Sequence, residues 1–319
     1  MLGFIGLGVM GAPMCRNLAA KSGQEVRAFD SDLEALANMD QSGVTPAESI
    51  RDVAEHADIV FLSLPGGPHV NAVCLGAGSL LTHLKPGGLV VDFSTTPVNL
   101  ARDLSARFLA RGIQFADAPV ARTREAAKNG TLSVMVGGPQ HVFTRLKPLL
   151  ECVATDITHC GGPGAGQAMK IINNMVLFQN VVALAEALAL IRHAGVDPQL
   201  AFEVLSKGSA DSFALRNHGM KAMLKDAYPE KAFSSEYALK DIRYALRLSE
   251  EAGVFLHGAD NAKETIKKAI LAGYGKAYFP ALVKVVAGAV APPAAAVAPP
   301  AAAGKGAGKG AGKGAGRKK

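Results

Sequence analysis

Along the first 160 residues, short apolar runs alternate with stretches of helical periodicity. The runs are LGFIGL, EVRAFD, IVFLSLP, GLVVDFS, IQFADAPV, SVMVGG and DITHCG. Several are apolar without interruption, the pattern of strands covered on both faces. Strands spaced by helices in this way predict a doubly wound α/β sheet. At GGPGAG, residues 161–166, the pattern changes. A long apolar stretch of helical period runs from Gln167 to His193, and shorter amphipathic segments follow as far as Leu271. No strand pattern interrupts them, so the second part is expected to be all-α. Glu186 and the asparagines of the long stretch mark it as an interior helix rather than a membrane span. Beyond Val285 the chain turns to APPAAAV, repeated GKGA and GRKK. Such sequence buries too little apolar area to offset chain entropy, and a disordered tail is expected. The divisions expected are 1–162, 163–285 and 286–319.

Charge sharpens this division. The formal net charge is +7. Lys305, Lys309, Lys313, Arg317, Lys318 and Lys319 supply nearly all of it within the tail, where no acid stands. The body is therefore no basic nucleic-acid binder. Only the tail could make weak, non-specific, salt-sensitive contact with nucleic acid. The cysteines Cys15, Cys74, Cys152 and Cys160 form no C-x-x-C pair and have no histidine cluster nearby. That suits reduced, buried thiols in a cytoplasmic protein without a metal site. The apolar N-terminus lacks a basic n-region, and no uncharged apolar run reaches the ~18 residues of a span. No membrane partner is expected.

The chemistry begins with GFIGLGVMG. Gly6-x-Gly8-x-x-Gly11 follows a β-like run and opens a helical one, and the strand EVRAF then ends at Asp30. Gly6 permits the tight turn, Gly8 lets a pyrophosphate approach the backbone, and Gly11 lets helix and strand pack closely. Val9 and Met10 lie between them, at the helix N-terminus that would face the phosphates. Asp30 would accept hydrogen bonds from ribose hydroxyls and repel a 2′-phosphate. NAD is thus expected over NADP.

The start of the long helix carries a second signal. Lys170, Asn173, Asn174 and Leu177 stand at i, i+3, i+4 and i+7 and share one face. A core helix has no packing need for a lysine and two asparagines in one stripe. Either Lys170 snorkels to water, or it is a proton donor and acceptor of lowered pKa over a cofactor cleft. In the second case the asparagines, with Leu177 on the same stripe, hold the substrate.

Taken together, GFIGLGVMGAPM, VVDFSTTP, DAPV…GTL, GAGQAMKIINN and YALKDIRYAL resemble the β-hydroxyacid dehydrogenase family. That family includes 3-hydroxyisobutyrate dehydrogenase and tartronate semialdehyde reductase. The resemblance covers residues 1–280. It implies an N-terminal Rossmann domain, a long interdomain helix, an all-α domain and a homodimer or homotetramer. It implies hydride transfer between NAD and a small 3-hydroxy acid or its semialdehyde, with Lys170 as general acid/base and Asn174 and Asn173 on the substrate. Leu64, Pro65, Thr95 and Lys240 would touch the cofactor. Without the resemblance, Ser94-Thr95-Thr96 can also be read as a helix cap and Lys240-Asp241 as a solvated charge pair.

One loop departs from the family pattern. Where relatives carry Ser-Gly-Gly after Asp-Ala-Pro-Val, this chain has Ala121, Arg122 and Thr123. The Arg-Thr pair is similar to that of the sulfolactaldehyde reductase branch. A guanidinium suits a carboxylate, sulfonate or phosphate oxygen pair, so Arg122, with Thr123, is expected to clamp a small anionic hydroxy acid. Arg124 is expected to be an exposed helix residue. Sulfolactaldehyde or succinic semialdehyde reduction is the nearest alternative. An inactive NAD-binding module tethered to nucleic acid by the tail is the alternative of a different class.

Overall fold

The computed structural model of the chain describes residues 1–39, 42–230 and 232–287. Among the described residues nine strands form one sheet: β1 (Leu2–Ile5), β2 (Val26–Phe29), β3 (Val44–Pro46), β4 (Ile59–Leu62), β5 (Leu89–Asp92), β6 (Gln114–Asp117), β7 (Val120–Ala121), β8 (Leu132–Gly137) and β9 (Ala154–Gly161). The strands β3-β2-β1-β4-β5-β6 lie side by side in that order and run parallel. β8 turns antiparallel to β6, β7 continues along the same edge of β8, and β9 runs parallel to its other edge. The helices α1 (Gly11–Lys21), α2 (Leu33–Ala37), α3 (Ile50–His56), α4 (Gly67–Leu75), α5 (Leu80–His83), α6 (Val98–Leu109), α7 (Arg124–Asn129) and α8 (Gln140–Leu150) connect the strands.

The uninterrupted apolar runs have a simple cause. Leu2 and Phe4, Ile59 and Phe61, and Leu89 and Val91 enter the core on one side of the sheet. Their neighbours Ile5, Val60, Leu62 and Val90 enter a separate core on the other. Alternation is present, but both faces are dry. β3 falls outside the seven runs read from sequence, and β7 begins on Val120, the last residue of the run IQFADAPV, which the structure divides into two strands. β3 has three residues and an edge position that tolerates Pro46, and β7 has two residues.

The second part is helical, as expected. α9 (Ala165–His193) leads into α10 (Pro198–Leu205), a π-helical segment Leu215–Met223, α11 (Ser235–Ala252), α12 (His257–Ala269) and α13 (Val283–Ala287). One isolated bridge joins Ser234 and Tyr278. α9 is long and apolar enough to cross a membrane by length and composition. Here it packs on α11, α12, α13 and the sheet, with Phe178, Val181, Ala185 and Leu188 buried among Phe202, Leu215, Ile242 and Phe279. α13 includes residues 286 and 287, which the composition assigns to the tail. From 288 onward the expected disordered tail lies outside the described residues.

Two carboxyls sit buried at neighbouring strand ends. Asp92 accepts from Ser94 N–H at 2.9 Å through Oδ1, while its Oδ2 has no hydrogen-bond partner among the described residues. Burial pushes its pKa up to about 7, against the hydrogen bonds from Ser94 and with help from the Asp117 charge. Asp117 is raised to about 6 by burial, against the backbone N–H groups of Gly164 and Gln167. For Asp92 the folded state therefore holds its proton to higher pH than the unfolded chain does. Its contribution to stability is complete at acid pH and is lost as pH rises from the ordinary 3.8 through about 7. Asp92→Asn should gain on the parent by a few degrees in Tm between about pH 5 and about pH 8. A Tm difference that does not change with pH would contradict this.

Candidate functional site

The glycine loop leaves β1 and turns into α1. Gly6 has φ +99°, and a Cβ there would lie 2.3 Å from Ser63 O. A Cβ on Gly11 would lie 1.9 Å from Gly6 O. Both are glycine because the backbone folds against itself. Gly8 differs: nothing stands within 4 Å of where its Cβ would be. That open space lies just before α1, whose N-cap residue Met10 makes no side-chain cap and whose neighbour Val9 is exposed. Free N–H groups and open space at a helix N-terminus fit a dinucleotide pyrophosphate. Asp30, at the end of β2, accepts from Leu7 N–H at 2.5 Å and from Asp32 N–H at 2.8 Å. The carboxylate is thereby fixed against the loop.

The ends of β4 and β5 complete this edge. Leu64 N–H donates to Ser94 Oγ at 2.9 Å, and Pro65 beside it is exposed. Ser94 and Thr96 are not helix caps, since α6 starts from Pro97 without a side-chain cap. Lys240, on α11, reaches across to Thr95, donating to its carbonyl at 3.2 Å. Its ammonium lies 5.6 Å and 5.2 Å from the ring centres of Tyr237 and Tyr244 and 3.0 Å from Asp241 Oδ1. The Lys240-Asp241 pair is not solvated: Asp241 is 2% exposed.

Asp241 joins this edge to the lysine face. Its Oδ2 accepts from Asn174 Nδ2 at 2.7 Å, and Asn173 Nδ2 donates to Asn174 Oδ1 at 3.1 Å. Lys170, one turn before them, makes no hydrogen bond or ion pair among the described residues and is half-buried. Burial holds its pKa below 10.5, the Asp241 charge opposes this, and Lys240 adds to it. Leu177, on the same stripe, packs partly buried against the helical core. The structure thus brings Lys170, Asn174 and Lys240 around Asp241, a residue the sequence showed only as half of a charged pair. Also unassigned from sequence were Asp117, which accepts from Gly164 N–H at 2.7 Å and Gln167 N–H at 2.8 Å, and Gln167 itself. Their motifs were visible, but not their partners.

The arginine loop has partners of its own. Arg122 has φ +87°, the left-handed backbone that a glycine takes without strain. Its guanidinium donates to Thr131 O at 2.7 Å, Thr155 Oγ1 at 2.9 Å and Asp156 Oδ2 at 2.5 Å. None of these partners belongs to the lysine face. The Thr155 hydroxyl and the Arg122 guanidinium hold the Asp156 carboxyl below its usual range. Thr123 caps α7, accepting from Ala126 N–H at 3.4 Å, and Arg124 is exposed at the start of that helix. All four cysteines are free thiols, and no group of three or more potential metal ligands occurs among the described residues.

Comparison with known proteins bears on the family and the fold. Residues 1–162 match the family described as the NAD binding domain of 6-phosphogluconate dehydrogenase. Residues 164–286 match that described as NAD-binding of NADP-dependent 3-hydroxyisobutyrate dehydrogenase. The chain is 34% identical to 2-(hydroxymethyl)glutarate dehydrogenase of Eubacterium barkeri over 284 residues, 89% of this chain and 94% of the relative. It is 33% identical to 2-hydroxy-3-oxopropionate reductase of Escherichia coli over 287 residues, 89% and 96%. A structure of 3-hydroxyisobutyrate dehydrogenase of Mycobacterium tuberculosis with L-serine superimposes with a TM-score of 0.82 at 32% identity. The match covers 89% of this chain and 98% of that one.

The glycines separate folding from cofactor binding. Gly11→Ala should lower both Tm and NADH affinity, because its Cβ collides with Gly6 O. Gly8→Ala should leave Tm unchanged yet weaken NADH at least tenfold, a loss of about 1.4 kcal/mol. Calorimetry and NADH fluorescence titration check the pair. Full NADH affinity in Gly8→Ala would move the pyrophosphate away from this loop.

Proposed function

Because the chain belongs to the β-hydroxyacid dehydrogenase family, an oxidoreductase family acting on hydroxyl groups with NAD(P), we propose that it interconverts a small 3-hydroxy acid and its semialdehyde, with Lys170 moving the proton. The observation that carries this is Lys170 itself. It is a half-buried ammonium with no hydrogen bond among the described residues, on the helix face that also presents Asn173 and Asn174. NAD(P), when bound, supplies or accepts the hydride. During reduction the Lys170 ammonium donates its proton to the carbonyl oxygen as negative charge develops there. During oxidation the neutral amine takes the hydroxyl proton. Asn173 and Asn174 orient the oxygen, and Lys240 braces the loop at Thr95. Asp30 supports a preference for NAD over NADP, since a 2′-phosphate would meet its carboxylate.

Arg122 is proposed to hold the substrate anion, exchanging Asp156 for it. A longer or doubly charged acid suits that exchange best. The name of the Eubacterium barkeri relative denotes a substrate with two carboxylates. Sulfolactaldehyde and succinic semialdehyde, aldehydes bearing a distal anion, form a second reading that Arg122 favours for the same reason. The tethered, inactive module finds no such support, since Lys170 and the open space at Gly8 are both in place. The same reading makes the protein a cytoplasmic homodimer or homotetramer. Exposed apolar side chains on the helical part, Leu190, Leu200 and Val204 among them, support assembly.

Lys170→Ala should reduce kcat about a hundredfold or more while NADH still binds. In the parent, the reductive rate should fall, and the oxidative rate rise, as pH climbs through a value below 10.5. A pH profile identical in Lys170→Arg would remove Lys170 from the proton step. Arg122→Ala should lower kcat/KM for the best acid at least tenfold, a loss of about 1.5 kcal/mol. An unchanged kcat/KM would end the clamp assignment. A panel of 3-hydroxyisobutyrate, glycerate, 4-hydroxybutyrate, serine, threonate and dihydroxypropanesulfonate, followed by NADH absorbance, identifies the acid.

A further inference from the structure

Gln167 lies in the first turn of α9 and is 0% exposed. Its Oε1 accepts from Thr96 N–H at 2.9 Å, and its Nε2 donates to Ser94 O at 2.7 Å. One side-chain amide thus pairs with one N–H and one C=O two residues apart, as a neighbouring strand would. Apart from a protonated carboxyl, only the amides of Asn and Gln offer an acceptor and a donor side by side in this way, and Asn is one methylene shorter. Around this contact the loop after β5 has little freedom. Ser94 N–H is held by Asp92, Ser94 Oγ by Leu64 N–H, and Thr95 O by Lys240. The backbone of Gln167 is itself held by Asp117. On the same helix face three residues later stands Lys170, about 4.5 Å further along the axis.

We propose that Gln167 is a positioning residue for hydride transfer: it latches the helix carrying Lys170 to the loop carrying Thr95, and so sets the distance between the proton donor and the nicotinamide. This rests on the function proposed above. Gln167 is fully buried and offers no surface to a substrate or cofactor. It acts by fixing two elements from different parts of the chain in one geometry. Misplacement on the ångström scale is enough to slow a positioned reaction steeply.

The test uses the full chain with Gln167→Met and Gln167→Glu. The methionine keeps the bulk but leaves Thr96 N–H and Ser94 O unpaired. It should lower kcat about tenfold or more, raise the primary isotope effect with deuterated NADH, and leave NADH affinity at the parent value. The glutamate keeps an acceptor for Thr96 N–H, but when ionised it faces Ser94 O with a second acceptor. Protonation restores the donor, so its deficit in kcat relative to the parent should shrink as pH falls. Should the methionine variant fail to fold, the glutamate variant carries the test alone. Parent-like kcat and isotope effect in Gln167→Met would overturn the latch. So would a loss of kcat matched by an equal loss of NADH affinity, or a glutamate deficit independent of pH. The emission of bound NADH, measured without substrate, reads the same loop. An emission spectrum identical in parent and Gln167→Met would overturn the latch even if no acid in the panel were turned over. A panel without turnover would count against the proposed function, and the emission result would stand apart from it.

Discussion

The geometry of the site depends on one carboxylate. α9 begins at Gly164 without any side-chain cap of its own, so its first N–H groups need a partner from elsewhere. Asp117, at the end of β6, supplies it, accepting from Gly164 and Gln167. A negative charge is favoured at a helix N-terminus, and burial works against it, which leaves the Asp117 pKa raised to about 6. The contact joins β6, the last of the six strands that run side by side in parallel, to the first turn of a 29-residue helix. Lys170 and the asparagines inherit their direction from that joint.

Two lysines meet near Asp241, and their surroundings divide the labour between them. Lys240 is held on several sides, by Thr95 O, by Asp241 and by two aromatic rings. Lys170 has neither hydrogen bond nor ion pair among the described residues, and burial together with the neighbouring ammonium weakens its hold on a proton. A cation that is fully engaged serves to brace. One that is desolvated and unengaged is ready to exchange its proton.

Much of this was legible in the chain because it is locally encoded. The glycine loop requires residues at fixed spacing, the strands announce themselves as apolar runs, and Lys170 with its asparagines follows helical period. What stayed hidden depends on contacts distant in sequence. Gln167 meets its loop partners 71 and 73 residues away, and Asn174 meets Asp241 across 67. Arg122 pairs with Asp156 across 34 residues, and no local pattern marks that aspartate as its counter-ion. Asp241 looked like a surface charge because burial is a property of packing, not of the Lys-Asp dipeptide. β3 and β7 are too short to show any period.

The two-sided burial of the central strands has a consequence for alignment. Where one face is wet, a slip of one residue would throw apolar side chains into water, and the pattern itself forbids it. In β1, β4 and β5 both faces are dry, so a slip would trade one core for the other and the oil-like residues would be poor judges of register. The polar strand ends judge instead. Leu64 N–H, beyond β4, meets Ser94 Oγ, beyond β5, and Asp117 meets the start of α9, in one alignment only. The edge of the sheet where chemistry is proposed is also the edge that tells the strands where to stop.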